Sequence, residues 1–245
     1  MTAWWNFSAR LILREAYTHF KIPAGDRVTV EFVVGTPPDS EPGLYRFLKW
    51  EQEKFGDIRM LNQSENMNEG KTWEYFATLG RAYNTQNPAR RPWDYAMKLD
   101  DDTFLNIPQL LERLRPIIPR VDTYVVLPRL MGFSDFQGRG TEYWHMGAGY
   151  ILSWDLVVWL SHHRHEDFLT LPEDQGIGEM LRAGRKGRGN FINLGSQVMD
   201  HPSDNEGGDW AREYGQDVIL VHRLKNVHLQ GDAIEYFLGN PTRSR

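Results

Sequence analysis

The sequence predicts a single α/β domain, and three observations carry that prediction. The chain has 245 residues, 40% of them hydrophobic and 13% aromatic, which is enough to bury one sizeable core. In its first half, apolar runs rich in β-branched residues alternate with stretches of helical periodicity. Those runs end in glycine or in acidic residues. This alternation is typical of helices packed on a sheet.

The elements of the first half follow from local patterns. In chain order we predict an amphipathic stretch at 10–20, a central strand at 28–35, a helix at 44–55, a strand at 57–61 and a long helix at 68–83. The apolar residues of the long helix recur at helical spacing, so we interpret them as core: Trp73, Phe76, Leu79, Ala82 and Tyr83.

The second half continues with less regular signals. We predict a strand at 94–99, a helix at 107–114, a strand at 124–127, a helix starting near 173 and a strand from 217 that ends in His222. The Gly-rich polar loop at 133–141 is a predicted lid. The glycines of 146–153 permit close backbone approach, and Ser153 is expected to cap the helix that follows it.

Composition excludes several classes of function. The net charge of −5 and pI near 5.9 leave no basic footprint for nucleic acid, and no apolar run could span a bilayer. Cysteine is absent, which excludes disulfides and thiolate metal sites. The start, 1–6, has neither the pattern of a signal peptide nor the length of an anchor. We therefore expect no nucleic-acid partner and no membrane contact from this chain itself.

Three consecutive carboxylates, Asp100, Asp101 and Asp102, follow the strand predicted at 94–99. Adjacent like charges repel, and a divalent cation is their natural partner. Oxygen ligands of this kind suit Mg²⁺ or Mn²⁺ together with substrate phosphates. The alternative is an exposed turn whose acids cap the helix near Pro108.

Spacing tests two other aspartate-rich chemistries. A phosphatase pattern Asp-x-Asp-x-Thr would need threonine at Phe104, and a diphosphate-binding pattern Asp-Asp-x-x-Asp would need aspartate there. Both fail. What remains is the Asp-x-Asp device of nucleotide-sugar transferases, in which a metal bridges carboxylate and diphosphate.

Further candidates lie later in the chain. Glu173 and Asp174 form a second acidic pair at a helix start, where helix capping is the alternative reading. His222 ends a strand and is either structural or a metal ligand, and a neutral imidazole suits Mn²⁺ better than Mg²⁺. Another group of histidines is typical of a solvated helix end: His162, His163 and His165.

Together these residues resemble glycosyltransferase family 31, which includes β1,3-galactosyltransferases, β1,3-N-acetylglucosaminyltransferases and the fringe enzymes, and the match is most similar to the fungal branch. The motifs that carry the resemblance are Arg10-x-x-x-Arg14, Val34-Gly35, Glu65-Asn66-Met67-Asn68-Glu69-Gly70-Lys71-Thr72, Lys98-Leu99-Asp100-Asp101-Asp102-Thr103-Phe104, Gly147-Ala148-Gly149-Tyr150-Ile151-Leu152-Ser153, Glu173-Asp174 and Val221-His222.

The resemblance implies a GT-A fold, a single Rossmann-like domain with a mixed central sheet. It implies a donor half at 1–105 and an acceptor and catalytic half at 106–245. The implied reaction moves galactose or N-acetylhexosamine from a UDP-sugar to a glycan or glycoprotein, with inversion and a β1,3 linkage, using Mn²⁺ or alternatively Mg²⁺. The implied location is the Golgi lumen, as part of a type II membrane protein.

The resemblance also implies roles for single residues. Asp102 and His222 would bind the metal, and Asp174 would be the general base. The remaining donor-site residues would be Gly35, Lys98, Asp100 and Asp101, with Asp100 or Asp101 near the ribose. Two departures concern the acceptor side: Gln175 replaces the usual valine, and 143–146 differs from the usual approach to the glycine segment.

Two rival functions stay open at the level of sequence. One is an inactive GT-A relative that binds glycan or nucleotide, for which Gln175 leaves room. The other is a metal-dependent phosphohydrolase, which the absence of a nucleophile pattern at Phe104 disfavours. A binding module would not need two separate acidic sites.

Overall fold

A computed structural model describes residues 1–83, 91–118, 120–127, 130–134, 141–145, 148–203 and 211–239, with the backbone alone described in 130–134 and 141–145. The helices are α1 Phe7–Thr18, α2 Pro42–Phe55, α3 Lys71–Ala82, α4 Ile107–Leu114, α5 Trp154–His162, α6 Glu166–Leu169, α7 Glu173–Ala183 and α8 Val227–Leu238. The strands are β1 Phe32–Thr36, β2 Ile58–Ser64, β3 Tyr95–Leu99, β4 Phe104–Leu105, β5 Thr123–Val126, β6 Leu130–Ser134, β7 Thr141–His145, β8 Gly149–Ser153, β9 Asn190–Asn193, β10 Val198–Asp200 and β11 Leu220–His222.

A four-stranded mixed sheet has the order β3-β8-β5-β9. Strand β8 is antiparallel to both of its neighbours, whereas β5 and β9 are parallel. Two further sheets are smaller. In one, β1 pairs with β2 in parallel, and in the other β11 lies between parallel β10 and antiparallel β4. The predicted α/β class with a mixed sheet is confirmed.

The core around α3 and α5 explains which parts of the long predicted helix are correct. Trp73, Phe76 and Leu79 are buried as predicted. Ala82 and Tyr83 are exposed, so their assignment to the core was wrong; both lie at the end of α3, beyond its packed turns. The helix begins at Lys71 instead of 68, because Gly70 has φ +84° and separates α3 from a 3₁₀ turn.

The predicted central strand at 28–35 is wrong in extent and place. Strand β1 begins at Phe32 and pairs with β2 in a two-stranded sheet. The Thr2 backbone N–H donates to the Val33 carbonyl at 3.1 Å, and the N-terminal amine donates to the Leu99 carbonyl. The first residues therefore lie between β1 and β3 and take hydrogen bonds that could otherwise join those strands.

Three smaller predictions are corrected or stay open. Ser153 precedes α5, but its hydroxyl accepts from the Thr123 backbone N–H at 2.9 Å and joins β5 to β8 instead of capping the helix. The strand predicted from 217 ends at His222 as expected but begins only at Leu220. The ends of the predicted lid belong to the antiparallel pair β6 and β7, and 135–140 lie outside the described residues, so the lid stays a prediction.

No helix in the described ranges combines the length and the apolar character needed to cross a membrane.

Candidate active site

Strand pairing brings the acidic triplet and His222 together. The triplet follows β3, and the chain then enters β4, whose Phe104 is fully buried and pairs with Val221 of β11. The Leu224 backbone N–H donates to the Asp102 carbonyl at 2.8 Å. Because β4 and β11 are antiparallel, Asp102 and Thr103, which precede β4, lie at the same end of the sheet as His222, which follows Val221.

Asp102, His222 and Asp200 form a line of hydrogen-bonding groups. His222 Nε2 lies 3.8 Å from Asp102 Oδ1, and His222 Nδ1 lies 2.8 Å from Asp200 Oδ1. Since an ionised carboxylate only accepts, Nδ1 carries a proton, and Nε2 is the ring nitrogen that lies toward Asp102. Asp200 is buried and pairs with His222 in the parallel register of β10 and β11.

This donor set fits a divalent cation such as Mn²⁺. A carboxylate oxygen faces an imidazole nitrogen, and a second carboxylate orients the imidazole from behind, as is usual for metal-binding histidines. Across the ranges that the structure describes, no three acidic or histidine side chains are placed to hold a metal by themselves. A metal bound by Asp102 and His222 would therefore need further oxygens, and diphosphate is the usual source.

Burial and the surrounding charges shift the pKa values of the two outer acids of the triplet in opposite directions. Burial favours a raised pKa for the Asp102 carboxyl, but His222 and Lys225 outweigh burial and hold that pKa below its usual value. Burial raises the pKa of Asp100, and Lys98 does not fully offset it. Of these two outer acids, Asp102 is therefore the one whose ionised form its surroundings favour.

Each triplet carboxylate has a different partner. Asp100 Oδ1 binds Lys98 Nζ at 2.9 Å, and Asp102 Oδ2 accepts from Lys225. Asp101 Oδ2 accepts from Thr2 Oγ1 at 2.6 Å and from the Asn6 side-chain amide at 2.7 Å.

The capping alternative for the triplet is wrong, because Asn106 is the N-cap of α4 and its side chain accepts from the Gln109 backbone N–H at 3.2 Å.

Lys98 joins the triplet to the second acidic pair. It is 1% exposed, and its ammonium contacts both Asp100 and Glu173. The structure thus directs Lys98, a predicted donor-site residue, toward two carboxylates of the chain. A buried lysine between two acids fixes the end of β3 against the start of α7.

Asp174 lies beside Glu173 in the first turn of α7, whose N-cap position is Pro172. Asp174 Oδ1 accepts from the Gln175 backbone N–H at 2.8 Å. Burial raises the pKa of the Tyr124 phenol, and the charges of Asp174 and Glu173 add to that shift. Asp174 is therefore half-buried and close to Tyr124 of the sheet.

Gly35 has a local reason to be glycine. Its backbone N–H donates to Glu65 Oε2 at 2.7 Å, and a Cβ added there would lie 2.7 Å from the Glu65 backbone. Glu65 pairs with Lys71, whose ammonium also donates to the Thr2 carbonyl at 2.8 Å. Contact between Gly35 and a donor stays a prediction.

Among the described residues, His162, His163 and His165 do not belong to a group that could hold a metal. His163 stacks on Trp159 at a centroid distance of 4.2 Å, and His165 stacks on Phe168 at 4.2 Å.

Sequence reasoning missed Asp200 and Lys225 as partners in the site. Lys225 was visible as a cation after the strand that ends in His222. No local signal marks Asp200, because its role depends on the pairing of two strands distant in sequence.

Three kinds of comparison with known proteins bear on this site. The galactosyltransferase family model matches residues 8–127, a range that includes the triplet. The chain is 24% identical over 279 residues to the β-1,3-galactosyltransferase pvg3 of Schizosaccharomyces pombe, covering 95% of this chain and 71% of that protein. It is 27% identical over 190 residues to the hydroxyproline O-galactosyltransferase GALT2 of Arabidopsis thaliana, covering 71% of this chain and 26% of that protein.

Among solved structures, a glycosyltransferase involved in the glycosylation of the major capsid of PBCV-1 matches with a TM-score of 0.41 and 12% identity, over 85% of this chain and 100% of that one. The family model and the pvg3 match confirm the resemblance to glycosyltransferase family 31.

Proposed function

Because the chain is a glycosyltransferase that resembles the galactosyltransferase family, we propose that it transfers galactose from UDP-galactose to a glycan acceptor with inversion. Galactose is preferred over N-acetylhexosamine because both relatives are named galactosyltransferases. A β1,3 linkage, a divalent metal and the Golgi lumen, all expected from the family resemblance, belong to the same proposal.

The observation that carries the proposal is that buried Lys98 joins the acidic triplet to the acidic pair at the start of α7. One of its contacts is Asp100, two residues before Asp102, and the other is Glu173, next to Asp174. A single displacement needs charge compensation for the leaving group on one side of the sugar and a base for the acceptor on the other. The triplet carboxylates and the carboxylates of 173–174, which Lys98 joins, would supply these two functions.

On the donor side, Asp102 and His222 would hold Mn²⁺, which supplies compensation for the charge of the departing diphosphate. Asp200 keeps His222 Nε2, the nitrogen that would bind the metal, directed at Asp102. Asp100 and Asp101 would lie near the ribose, and Lys98 would act on the donor through Asp100.

On the acceptor side, Asp174 would accept the proton of the acceptor hydroxyl. The hydroxyl oxygen forms a bond to the anomeric carbon while the bond from that carbon to UDP breaks. The proton leaves to the Asp174 carboxylate and the bonding electrons leave with UDP, so atoms and charge balance. Attack from the face opposite to UDP inverts the anomeric carbon.

The proposal is tested by incubating the protein with UDP-galactose, MnCl₂ and a panel of glycan acceptors. We expect UDP release that depends on acceptor and stops with EDTA, and a product whose anomeric proton coupling in NMR reports inversion. UDP-N-acetylglucosamine, offered in parallel, tests the sugar. Release of inorganic phosphate without acceptor would instead indicate a phosphohydrolase, and binding of UDP without turnover across the panel would indicate an inactive relative.

A further inference from the structure

Lys225 occupies one oxygen of the predicted metal ligand. Its ammonium contacts Asp102 Oδ2, while His222 Nε2 faces the other oxygen, Oδ1, at 3.8 Å. The Lys225 side chain is 60% exposed, whereas that of Asp102 is 18% exposed. An exposed ammonium therefore contacts a mostly buried carboxylate at the position where a metal would bind.

The backbone builds this contact. Arg223 has φ +65°, a conformation that residues other than glycine seldom adopt. The turn it makes allows the Leu224 backbone N–H to donate to the Asp102 carbonyl at 2.8 Å, which places Lys225 beside the triplet. An unusual backbone conformation retained next to a site is a reason to look for a function.

We propose that Lys225 is a positioning residue that holds the place of the metal on Asp102 and moves to the diphosphate when metal and nucleotide bind together. This inference rests on the proposed function. It assigns to Lys225 the coupling between the two ligands, beyond the coupling that arises from shared coordination.

The physical argument predicts opposite effects on the two ligands. The ammonium and a metal cannot share Oδ2, so metal alone must displace Lys225, and the lysine weakens metal binding. Once displaced, the ammonium is a flexible point charge next to the negative diphosphate, which lysine readily binds. Lys225 therefore weakens binding of Mn²⁺ alone and strengthens binding of UDP with Mn²⁺.

The test measures Mn²⁺ affinity without nucleotide, by electron paramagnetic resonance of the free ion, and UDP affinity at saturating Mn²⁺, by calorimetry. For Lys225→Met we expect Mn²⁺ to bind about two- to fivefold more tightly, the range for a partly exposed ion pair. We expect UDP to bind about tenfold more weakly, because a charge-assisted hydrogen bond is lost. Lys225→Arg keeps the charge and should change both affinities less than Lys225→Met does.

Unchanged Mn²⁺ affinity in Lys225→Met would identify an ordinary surface ion pair and overturn the proposal. Weaker binding of both ligands would also overturn it. These results are distinguishable from failure of the proposed function, because wild-type protein that binds no Mn²⁺ even with UDP present would remove the metal site itself. Since Lys225 is exposed, melting temperatures of the variants should match that of wild type, and they serve as the check on folding.

Discussion

Two clusters of charge in this protein have similar composition and different construction. The Arg10 cluster consists of Arg10, Arg14, Glu51 and Asp57, where α1 packs against the end of α2. The triplet site consists of Asp100–Asp102 with His222 and Asp200. Both bring several ionised groups together. The charges of the Arg10 cluster balance, whereas the triplet site has more acidic than basic groups.

The Arg10 cluster is matched in charge and removed from water. The side chains of Arg10 and Glu51 are 0% exposed and form a bidentate pair at 2.9 and 2.7 Å. Arg14 binds Glu51 at 2.6 Å and Asp57 at 2.7 Å, and its guanidinium lies 4.2 Å from the Phe55 ring centroid. Two cations and two anions balance in charge, although Arg14 Nη1 is buried without a hydrogen-bond partner, so the cluster has a structural role.

The triplet site has more anions than nearby cations. Besides the three triplet acids, Glu173 and Asp200 contribute carboxylates, and among the described residues the lysines that contact these acids are Lys98 and Lys225. Asp102 and His222 remain partly exposed. The two clusters contain similar residue types. The balance of acidic and basic groups, together with burial, therefore distinguishes a structural cluster from a ligand site better than residue type does.

The largest effect that can break this comparison is expected at Asp174. In Asp174→Asn the amide keeps the shape and stays compatible with the helix start, but it cannot accept a proton. We expect acceptor-dependent transfer to fall by about 10²–10⁴-fold, as for loss of a general base. UDP release assays give the rate, and calorimetry gives UDP and Mn²⁺ affinities, which should stay close to those of wild type. Near-normal turnover would remove Asp174 from the mechanism.

The next largest effect concerns the Arg10 cluster. Glu51→Ala leaves the guanidinium groups of Arg10 and Arg14 without their shared partner, and we expect a loss of about 3–5 kcal/mol in the free energy of unfolding. Urea denaturation measures it. Glu53→Ala, an exposed position on the same helix, is the control and should change stability by less than about 0.5 kcal/mol. A Glu51 variant as stable as its control would show that the cluster is not structural.

Local signals were sufficient for some elements and insufficient for others. Helix α2 was predicted from periodicity and a glycine end, and it ends at Phe55 with Gly56 at φ +74°. Strand β1 was placed wrongly, because hydrogen bonds from the N-terminal residues between β1 and β3 leave no trace in local sequence. Composition and pattern fix what each segment prefers, and pairing between distant strands decides where it lies.

The site shows the same division. Asp102 and His222 came from a family resemblance, and the structure brings them to 3.8 Å. Asp200 could not be identified, and Lys225 was visible only as a cation near His222, because both reach the site through the pairing of β10 and β4 with β11 and through the turn at Arg223. No periodicity encodes such contacts.

A moderate effect should sharpen the role of Asp200 behind His222. Asp200→Asn removes the charge that orients the imidazole, and loss of such a partner typically weakens metal affinity about 10–100-fold. Mn²⁺ titration followed by electron paramagnetic resonance measures the change. The control is Asp217→Asn. Asp217 is an exposed acid that precedes β11, the strand of His222. Equal Mn²⁺ affinity in both variants would show that Asp200 is unimportant for the metal site.

The smallest expected effect is a difference in acid stability between a buried and an exposed glutamate. Burial opposes ionisation of Glu51, but Arg10 and Arg14 outweigh it and hold the pKa of Glu51 below its usual value of 4.5. A hydrogen bond from Arg164 likewise lowers the pKa of Glu166, but that pair is exposed to solvent. Screening should make its contribution to stability small.

A lowered pKa in the folded state stabilises the protein above the pKa of the unfolded chain, and that stability is lost as pH falls through the folded value. The contribution of Glu51 should therefore be complete near neutral pH and decline below about pH 4.5, with a slope of at most about 1.4 kcal/mol per pH unit for one proton. Urea midpoints measured from pH 7 to pH 3 should decline less steeply in Glu51→Gln than in wild type, whereas Glu166→Gln should follow wild type. Equal slopes in all three proteins would contradict the assignment of the acid-sensitive charge to the buried cluster.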